Sequence, residues 1–242
     1  MKIDETTVEK AYKKLKSSVY FDKTQLILRN AIVEFERTHK NIDKYLCSLF
    51  DKLNDNFKFD KLQEEILESI SVFSFPKKLH KDDRSIISNL PSKKITVDKL
   101  QHFIDMKVEG HILGVLWIML IGYQMDKEVY EHSYGNRIRK NLISELSEAP
   151  TYSPYLFEPY FVQYESWRDK ALSEAQAHMR LDQDVVIITM DFERYYYSID
   201  ADEPVFDNII EEFCPDDDTN IYREQNDILK RLNNFVCAVI EK

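Results

Sequence analysis

The segment DVVIITMD, residues 184–191, carries the clearest strand signal in the chain. Its middle consists of consecutive β-branched residues, a pattern typical of a strand that is buried on both faces of a sheet. The run ends in Asp191, and aromatic residues follow directly. Because ligands bind at the carboxyl ends of strands in open α/β sheets, this pattern predicts a carboxylate at a binding site. The alternative is that Asp191 only caps the following turn.

Helical periodicity dominates the sequence from about Glu5 to Ile70. Thr24 is a candidate N-cap, and a second apolar stripe follows in the same region. Residues 71–94 differ, because the apolar segments Val72–Phe75 and Ile86–Leu90 flank a charged stretch, which predicts a hairpin. The first stripe comprises Leu28, Ile32, Phe35, Ile42, Leu46, Leu49 and Leu53, and the second comprises Leu62, Ile66, Leu67 and Ile70.

Further helices are predicted downstream of the hairpin. Thr96 is a candidate cap for a largely buried helix that runs past Trp117 to about Tyr123. Trp117 and Trp167 are expected in the core, since aromatic residues on apolar helical faces are usually buried. The remaining predicted helices span residues 164–179, 205–213 and 228–240.

Composition excludes several classes of protein. Only 4 glycines occur among 242 residues, which leaves no room for a glycine-rich nucleotide-binding loop. The net charge of -10 opposes nucleic-acid binding by the whole surface, so such a role requires a local basic patch. The three scattered cysteines and the absence of an apolar leader predict a cytoplasmic protein. The most apolar run, Ile112 to Tyr123, is too short to span a membrane, so no membrane partner is expected.

The sequence VVIITMDFERYYYSID resembles the first palm motif of reverse transcriptases. The resemblance implies that Asp191 is a catalytic ligand of Mg²⁺ and that Phe192 offers its backbone carbonyl to a metal. It also implies that Tyr196, five residues after the aspartate, packs under the incoming sugar and excludes a 2′-hydroxyl. Mg²⁺ suits such a site because it prefers oxygen ligands and bridges carboxylates to phosphates.

Two upstream segments are similar to other motifs of the same family. FPKKLHKDDRSI resembles the fingers hairpin, which implies that Lys77 and Arg84 bind the triphosphate, with Lys78 as the neighbouring alternative. Fixed cations are needed there because the reaction spreads negative charge over phosphate oxygens. SYGNRI resembles the Ser-Tyr-Gly-Phe-Arg signature of group II intron-type enzymes, with Asn136 in place of Phe. By that resemblance Arg137 shapes the nucleotide pocket. The alternative for FPKKLHKDDRSI is a charged hairpin tip that is only solvated. The alternative for SYGNRI is a structural turn.

The resemblance runs from about Val72 to Phe206 and implies a helix-rich α+β fold. The expected architecture is a helical N-terminal region (1–70), a fingers-like region (71–180) and an incomplete palm (181–242). The implied partners are an RNA template, a DNA primer and deoxynucleoside triphosphates, with a nearby-encoded protein or RNA as a further candidate. The narrower resemblance is to bacterial reverse transcriptases of the abortive-infection and retron type, which act in antiviral defence.

A second carboxylate motif is expected about a hundred residues after Asp191 in this family. The acidic run Asp216 to Asp218 lacks apolar flanks, so we expect this polypeptide to be an N-terminal portion that is inactive alone. One alternative is a non-catalytic, polymerase-like scaffold that binds RNA or protein in phage defence. Another is a helical interaction module, which predicts that Lys77, Arg84 and Asp191 lie far apart.

Overall fold

The computed structural model describes residues 3–22, 25–79, 96–130, 132–139, 155–190, 208 and 220–242. Within these residues the fold is α+β and rich in helix, as the sequence predicts. The elements in chain order are α1 (Glu5–Phe21), α2 (Leu26–Thr38), α3 (Ile42–Asn54), α4 (Asn56–Ser69), β1 (Ser71–Leu79), β2 (Val97–Asp105), α5 (Val108–Trp117), a π-helical turn (Ile118–Gly122), α6 (Tyr123–Glu128), α7 (Tyr160–Arg180) and α8 (Asn220–Ile240).

Short polar side chains start three of the first four helices. Asp4, Asn41 and Asp55 each accept a hydrogen bond from a backbone N–H in the first turn of α1, α3 and α4. These caps satisfy donors that have no partner within the helix, which fixes where each helix begins. Helix α2 is preceded by Gln25, which makes no side-chain cap; the predicted cap Thr24 lies outside the described residues.

Helix α5 forms the centre of the core. The side chains of Ile112, Leu113 and Leu116 are fully buried, and α5 packs against α1, α2 and α8. Burial continues through the π-helical turn, so the expected buried helix is confirmed from Val108 to Gly122. Most of the predicted apolar stripes of the first 70 residues are also buried, namely Ile32, Phe35, Leu46, Leu49, Leu53, Leu62 and Ile66.

Polar contacts join the helices around this core. The Tyr12 hydroxyl of α1 donates to the Glu36 carboxylate of α2 at 2.7 Å, and Lys16 also pairs with Glu36. The hydrogen bonds from Lys16 and Tyr12 lower the pKa of the Glu36 carboxyl. The Trp117 indole N–H donates to the Asn233 side-chain oxygen at 3.1 Å, which ties α5 to α8.

Strands β1 and β2 form an antiparallel hairpin between α4 and α5. The register pairs Val72 with Ile104 and Phe73 with Phe103. The first strand of the predicted hairpin is therefore confirmed, whereas the predicted second segment, Ile86–Leu90, lies outside the described residues. The helix predicted to start after Thr96 is wrong over Val97–Asp105, because pairing with β1 replaces the local helical pattern there.

The long apolar helical stretch Val108–Glu128 passes a length and composition test for a membrane span. It is the one such stretch in the part of the chain that the structure describes. More than half of it is buried inside the protein, as in the core helix of a soluble protein. The stretch is therefore weak evidence for a membrane role.

Replacing Leu113 by Ala should lower the free energy of unfolding by about 3 kcal/mol, because it leaves a cavity in the centre of the core. Leu26, which is 61% exposed in α2, provides the matched control. Its change to Ala should cost less than about 0.5 kcal/mol. Urea unfolding followed by circular dichroism measures both, and equal losses would contradict the assignment of α5 to the core.

Candidate nucleotide-binding site

The predicted site residues fall partly outside the described residues. Arg84, Asp191, Phe192 and Tyr196 all lie in such segments, and their roles remain predictions. The structure describes Lys77 and Arg137, together with the residues that lead up to Asp191.

The run from Asp184 to Met190 forms neither a helix nor a strand. The side chains of Val186, Ile188 and Met190 are largely exposed, between 74% and 84%. The prediction of a fully buried strand is therefore wrong for these residues. A β-branched run favours an extended backbone, but burial requires neighbouring strands, and within the described residues β1 and β2 pair only with each other.

Lys77 lies on an irregular part of β1. Pro76 pairs with Leu100 and Lys78 pairs with Lys99, so Lys77 is an extra residue between two registered pairs. Pro76 has no N–H to donate to the ladder, which explains an interruption at this point. Bulges of this kind redirect side chains and are common beside functional sites.

Three lysines lie toward the end of the hairpin that is distant from the helices. Lys77 and Lys78 are exposed on β1, and Lys99 is exposed on β2. The near end of the hairpin is fixed, because β1 follows α4 and β2 precedes α5. The arrangement presents positive charge to solvent, as a triphosphate site requires and as a solvated hairpin tip would also do.

Arg137 is held in an ion pair with Asp126 of α6. Its Nε donates to one carboxylate oxygen at 2.9 Å, and Nη2 donates to the other at 3.2 Å. The guanidinium also donates to the backbone oxygens of Tyr130, Ser133 and Asp126. Both side chains of the pair are less than one-fifth exposed.

The turn that contains Arg137 is a structural unit. Asn136 has a φ of 47°, a backbone conformation that Asn tolerates better than most residues. The Asp126 carboxylate also accepts a hydrogen bond from the Ile138 N–H at 3.2 Å. The described geometry corresponds to the structural-turn alternative for SYGNRI, although the arginine is partly buried, and the nucleotide role of Arg137 remains a prediction.

Two other titratable groups in the described residues have pKa values that are shifted by burial and by neighbouring side chains. Partial burial on α5 lowers the pKa of the His111 imidazole, and the Asp105 carboxylate opposes this shift. Burial and the hydrogen bond to Glu109 raise the pKa of Tyr45. Across the described ranges, no group of three or more His, Cys, Asp or Glu side chains is placed to hold a metal ion. The predicted ligands Asp191 and Phe192 are outside those ranges.

Two features of the structure were not predicted from the sequence. Phe73, Phe75 and Phe103 meet on one face of the hairpin, although the sequence indicated only an apolar segment there. The spacing of Phe73 and Phe75 places both on one face of a strand and could have signalled part of this cluster. The sequence gives no comparable signal that Asp126 pairs with Arg137, because this contact is formed only in the tertiary structure.

Comparisons with known proteins return no family. No family model matches the chain, and no curated protein or solved structure matches it significantly.

Changing Arg137 to Ala should lower the free energy of unfolding by about 2 kcal/mol, because it leaves the Asp126 carboxylate partly buried without its bidentate partner. Arg137→Lys should restore little of this, since an ammonium cannot make the two-pronged contact. Arg37, whose pair with Glu34 is about two-thirds exposed, is the matched control. Its change to Ala should cost less than about 0.5 kcal/mol in urea unfolding, and an equal loss at both sites would contradict the structural role of Arg137.

Proposed function

We propose that this chain carries the fingers and part of the palm of an RNA-directed DNA polymerase of the bacterial antiviral-defence type. The observation that carries the proposal is the sequence VVIITMDFERYYYSID, in which an apolar β-branched run ends in Asp191 and an aromatic residue follows at Tyr196. In this proposal Asp191 holds Mg²⁺, with the Phe192 carbonyl as a further oxygen ligand. Tyr196 lies under the sugar of the incoming nucleotide.

The hairpin supports the proposal. A residue that binds a triphosphate must be reachable from solvent, and Lys77 is exposed on a bulge. Arg84 is seven residues further along the sequence and lies outside the described residues. In the proposal Lys77 and Arg84 neutralise the charge that spreads over the phosphate oxygens during transfer. Arg137 contributes by fixing the SYGNRI turn beside the pocket.

A second candidate is a non-catalytic scaffold with polymerase-like elements that binds RNA or a protein encoded nearby. The exposed apolar side chains of Val186, Ile188 and Met190 favour it, because large exposed apolar patches commonly mark interaction surfaces. The two candidates differ in one property. The first requires Mg²⁺-dependent nucleotide incorporation, whereas the second requires none.

Asp191→Ala should lower Mg²⁺-dependent incorporation of dTTP on a poly(rA) template with an oligo(dT) primer by about 1,000-fold. A lost metal ligand removes several kcal/mol of transition-state stabilisation, and each 1.4 kcal/mol is tenfold in rate. The assay uses the complete product of the gene. Asp184→Ala, which removes an exposed carboxylate at the start of the same run, is the matched control and should retain activity.

Two results would contradict the polymerase proposal. One is equal incorporation by the wild-type protein and Asp191→Ala. The other is no incorporation by the wild-type complete product under any template and primer, which would favour the scaffold.

Tyr196→Ala should reduce discrimination against ribonucleotides by at least about tenfold, because the ring no longer occupies the space of the 2′-hydroxyl. The ratio of kcat/KM for dTTP and UTP measures this selectivity. Tyr195→Ala, at the preceding position of the same tyrosine run, is the control and should leave the ratio unchanged. Unchanged selectivity in Tyr196→Ala would refute the assignment of this side chain to the sugar.

A further inference from the structure

Each strand of the hairpin has one edge without a backbone partner among the described residues. β1 and β2 form a two-stranded sheet and pair with each other. An unpaired strand edge presents a row of N–H and C=O groups that can pair with another strand. A hairpin of two strands is also marginally stable in water, and a stable sheet needs three or more. Both properties favour the addition of a further strand.

The two free edges differ in how well they accept another strand. β1 contains Pro76, which has no N–H, and its register is interrupted at Lys77. A proline and a bulge at a sheet edge oppose pairing with a further strand. β2 contains no proline, and its residues 99–105 follow one another in the register without a gap. The edge that accepts a strand is therefore that of β2.

The side chains of β2 are complementary to a second copy of the same strand. When two copies lie antiparallel with His102 opposite His102, Lys99 of each copy lies opposite Asp105 of the other. Leu100 then lies opposite Ile104, and these side chains are 48% and 50% exposed in the single chain. Opposite charges and apolar side chains at directly opposed positions stabilise an antiparallel pair.

The neighbouring register that is centred on Gln101 lacks this complementarity. It places Lys99 opposite Phe103 and Asp105 opposite Val97, so neither charge has a partner. Register is weakly specified in a strand that is exposed on both faces, as β2 is, unless its side chains select one pairing. The charges of β2 select the pairing about His102.

The same pairing joins the aromatic faces of the two hairpins. A two-fold axis perpendicular to the sheet keeps equivalent faces on the same side. The rings of Phe73 and Phe103 are stacked with centroids 5.5 Å apart, and Phe75 meets both edge-on at 5.4 and 5.9 Å. Phe103 is 37% exposed in the single chain, and in the pair it lies opposite Gln101 of the second copy. Part of its exposed apolar surface is then covered.

We propose that two copies of this chain associate by pairing their β2 edges antiparallel about His102. The product is a four-stranded sheet in the order β1–β2–β2–β1. The contact uses the same surface on both copies and closes at two, because the outer strands are β1 with Pro76. The paired strands bury a small area, so the dissociation constant is expected at about 1–100 µM. This association does not rest on the polymerase proposal, since it involves no nucleotide, template or metal.

Sedimentation velocity of the 242-residue chain from about 1 to 300 µM measures this association. Lys99→Glu should raise the dissociation constant at least about tenfold, because it places a carboxylate opposite Asp105 at both symmetric positions. Asp105→Lys should have the same effect with two pairs of ammonium groups. Lys61→Glu, at an exposed position of α4, changes the net charge equally and is the matched control. Its dissociation constant should stay within about twofold of wild type.

Mixing the two variants tests the register itself. An equimolar mixture of the Lys99→Glu and Asp105→Lys chains should associate within about threefold of wild type, because each chain supplies the charge that the other lacks. The double variant Lys99→Glu, Asp105→Lys in a single chain should recover in the same way. A general effect of net charge produces neither recovery, so the mixture separates direct pairing from nonspecific repulsion.

A cross-link keeps the test decisive if Asp105→Lys disturbs the base of the hairpin. His102→Cys should form a disulfide between two copies on mild oxidation, in a background with the three native cysteines changed to alanine. Directly opposed residues of an antiparallel pair have Cα atoms within about 5.5 Å, which suits a disulfide. Leu100→Cys is the control, since it lies opposite Ile104 and not opposite itself.

Four outcomes would overturn the inference. These are a wild-type chain that stays monomeric throughout the concentration range, no recovery in the mixture of folded variants, equal cross-linking of His102→Cys and Leu100→Cys, and assemblies larger than two copies. Circular dichroism of every variant checks that the helical core is retained. An active polymerase that remains monomeric would refute this pairing alone, and an inactive protein that dimerises as described would refute the polymerase alone.

Discussion

Helix α5 lies inside the protein, and its close approach to α4 positions the hairpin. A Cβ atom on Gly110 would lie 2.9 Å from Ile66 of α4 and 2.8 Å from Met106, so a larger residue would force these groups to shift. The backbone N–H of Lys107 also donates to the Ser69 hydroxyl at 3.2 Å. Because β1 follows α4 and β2 precedes α5, this contact brings the first residues of β1 beside the last residues of β2. The core thus sets the base of the hairpin, and the hairpin carries the cations and rings.

The helices could be predicted from the sequence, but β2 could not. Apolar side chains at Val97, Leu100, Ile104 and Val108 repeat at helical spacing, so the local pattern favours a helix that starts after Thr96. The structure places residues 97–105 in a strand instead, because pairing with β1 satisfies their backbone groups. Both faces of this hairpin are exposed, so no burial constraint produces the alternation by which strands are recognised. Tertiary pairing therefore outweighs the local signal.

The predictions of burial were wrong for side chains whose burial depends on segments far away in the sequence. Trp167 was expected in the core, yet it is 47% exposed on α7, where Ala175 is the one buried side chain among those described. Val186 and Ile188 are also exposed, although their residue types indicate a buried strand. A sequence shows which side chains of a segment are apolar. Their burial also requires a second surface of the protein that packs against them. The ion pair of Arg137 also depends on the tertiary structure, because the turn brings Asp126 and Arg137 together.

The bulge at Lys77 divides the hairpin into two parts. Before it, the strands keep a regular register, and alternation holds the phenylalanines on one face. At the bulge this alternation is interrupted, so lysines that follow one another along β1 are not restricted to opposite faces. The interruption that follows Pro76 therefore separates an aromatic surface, formed by Phe73, Phe75 and Phe103, from a cationic end within one short hairpin.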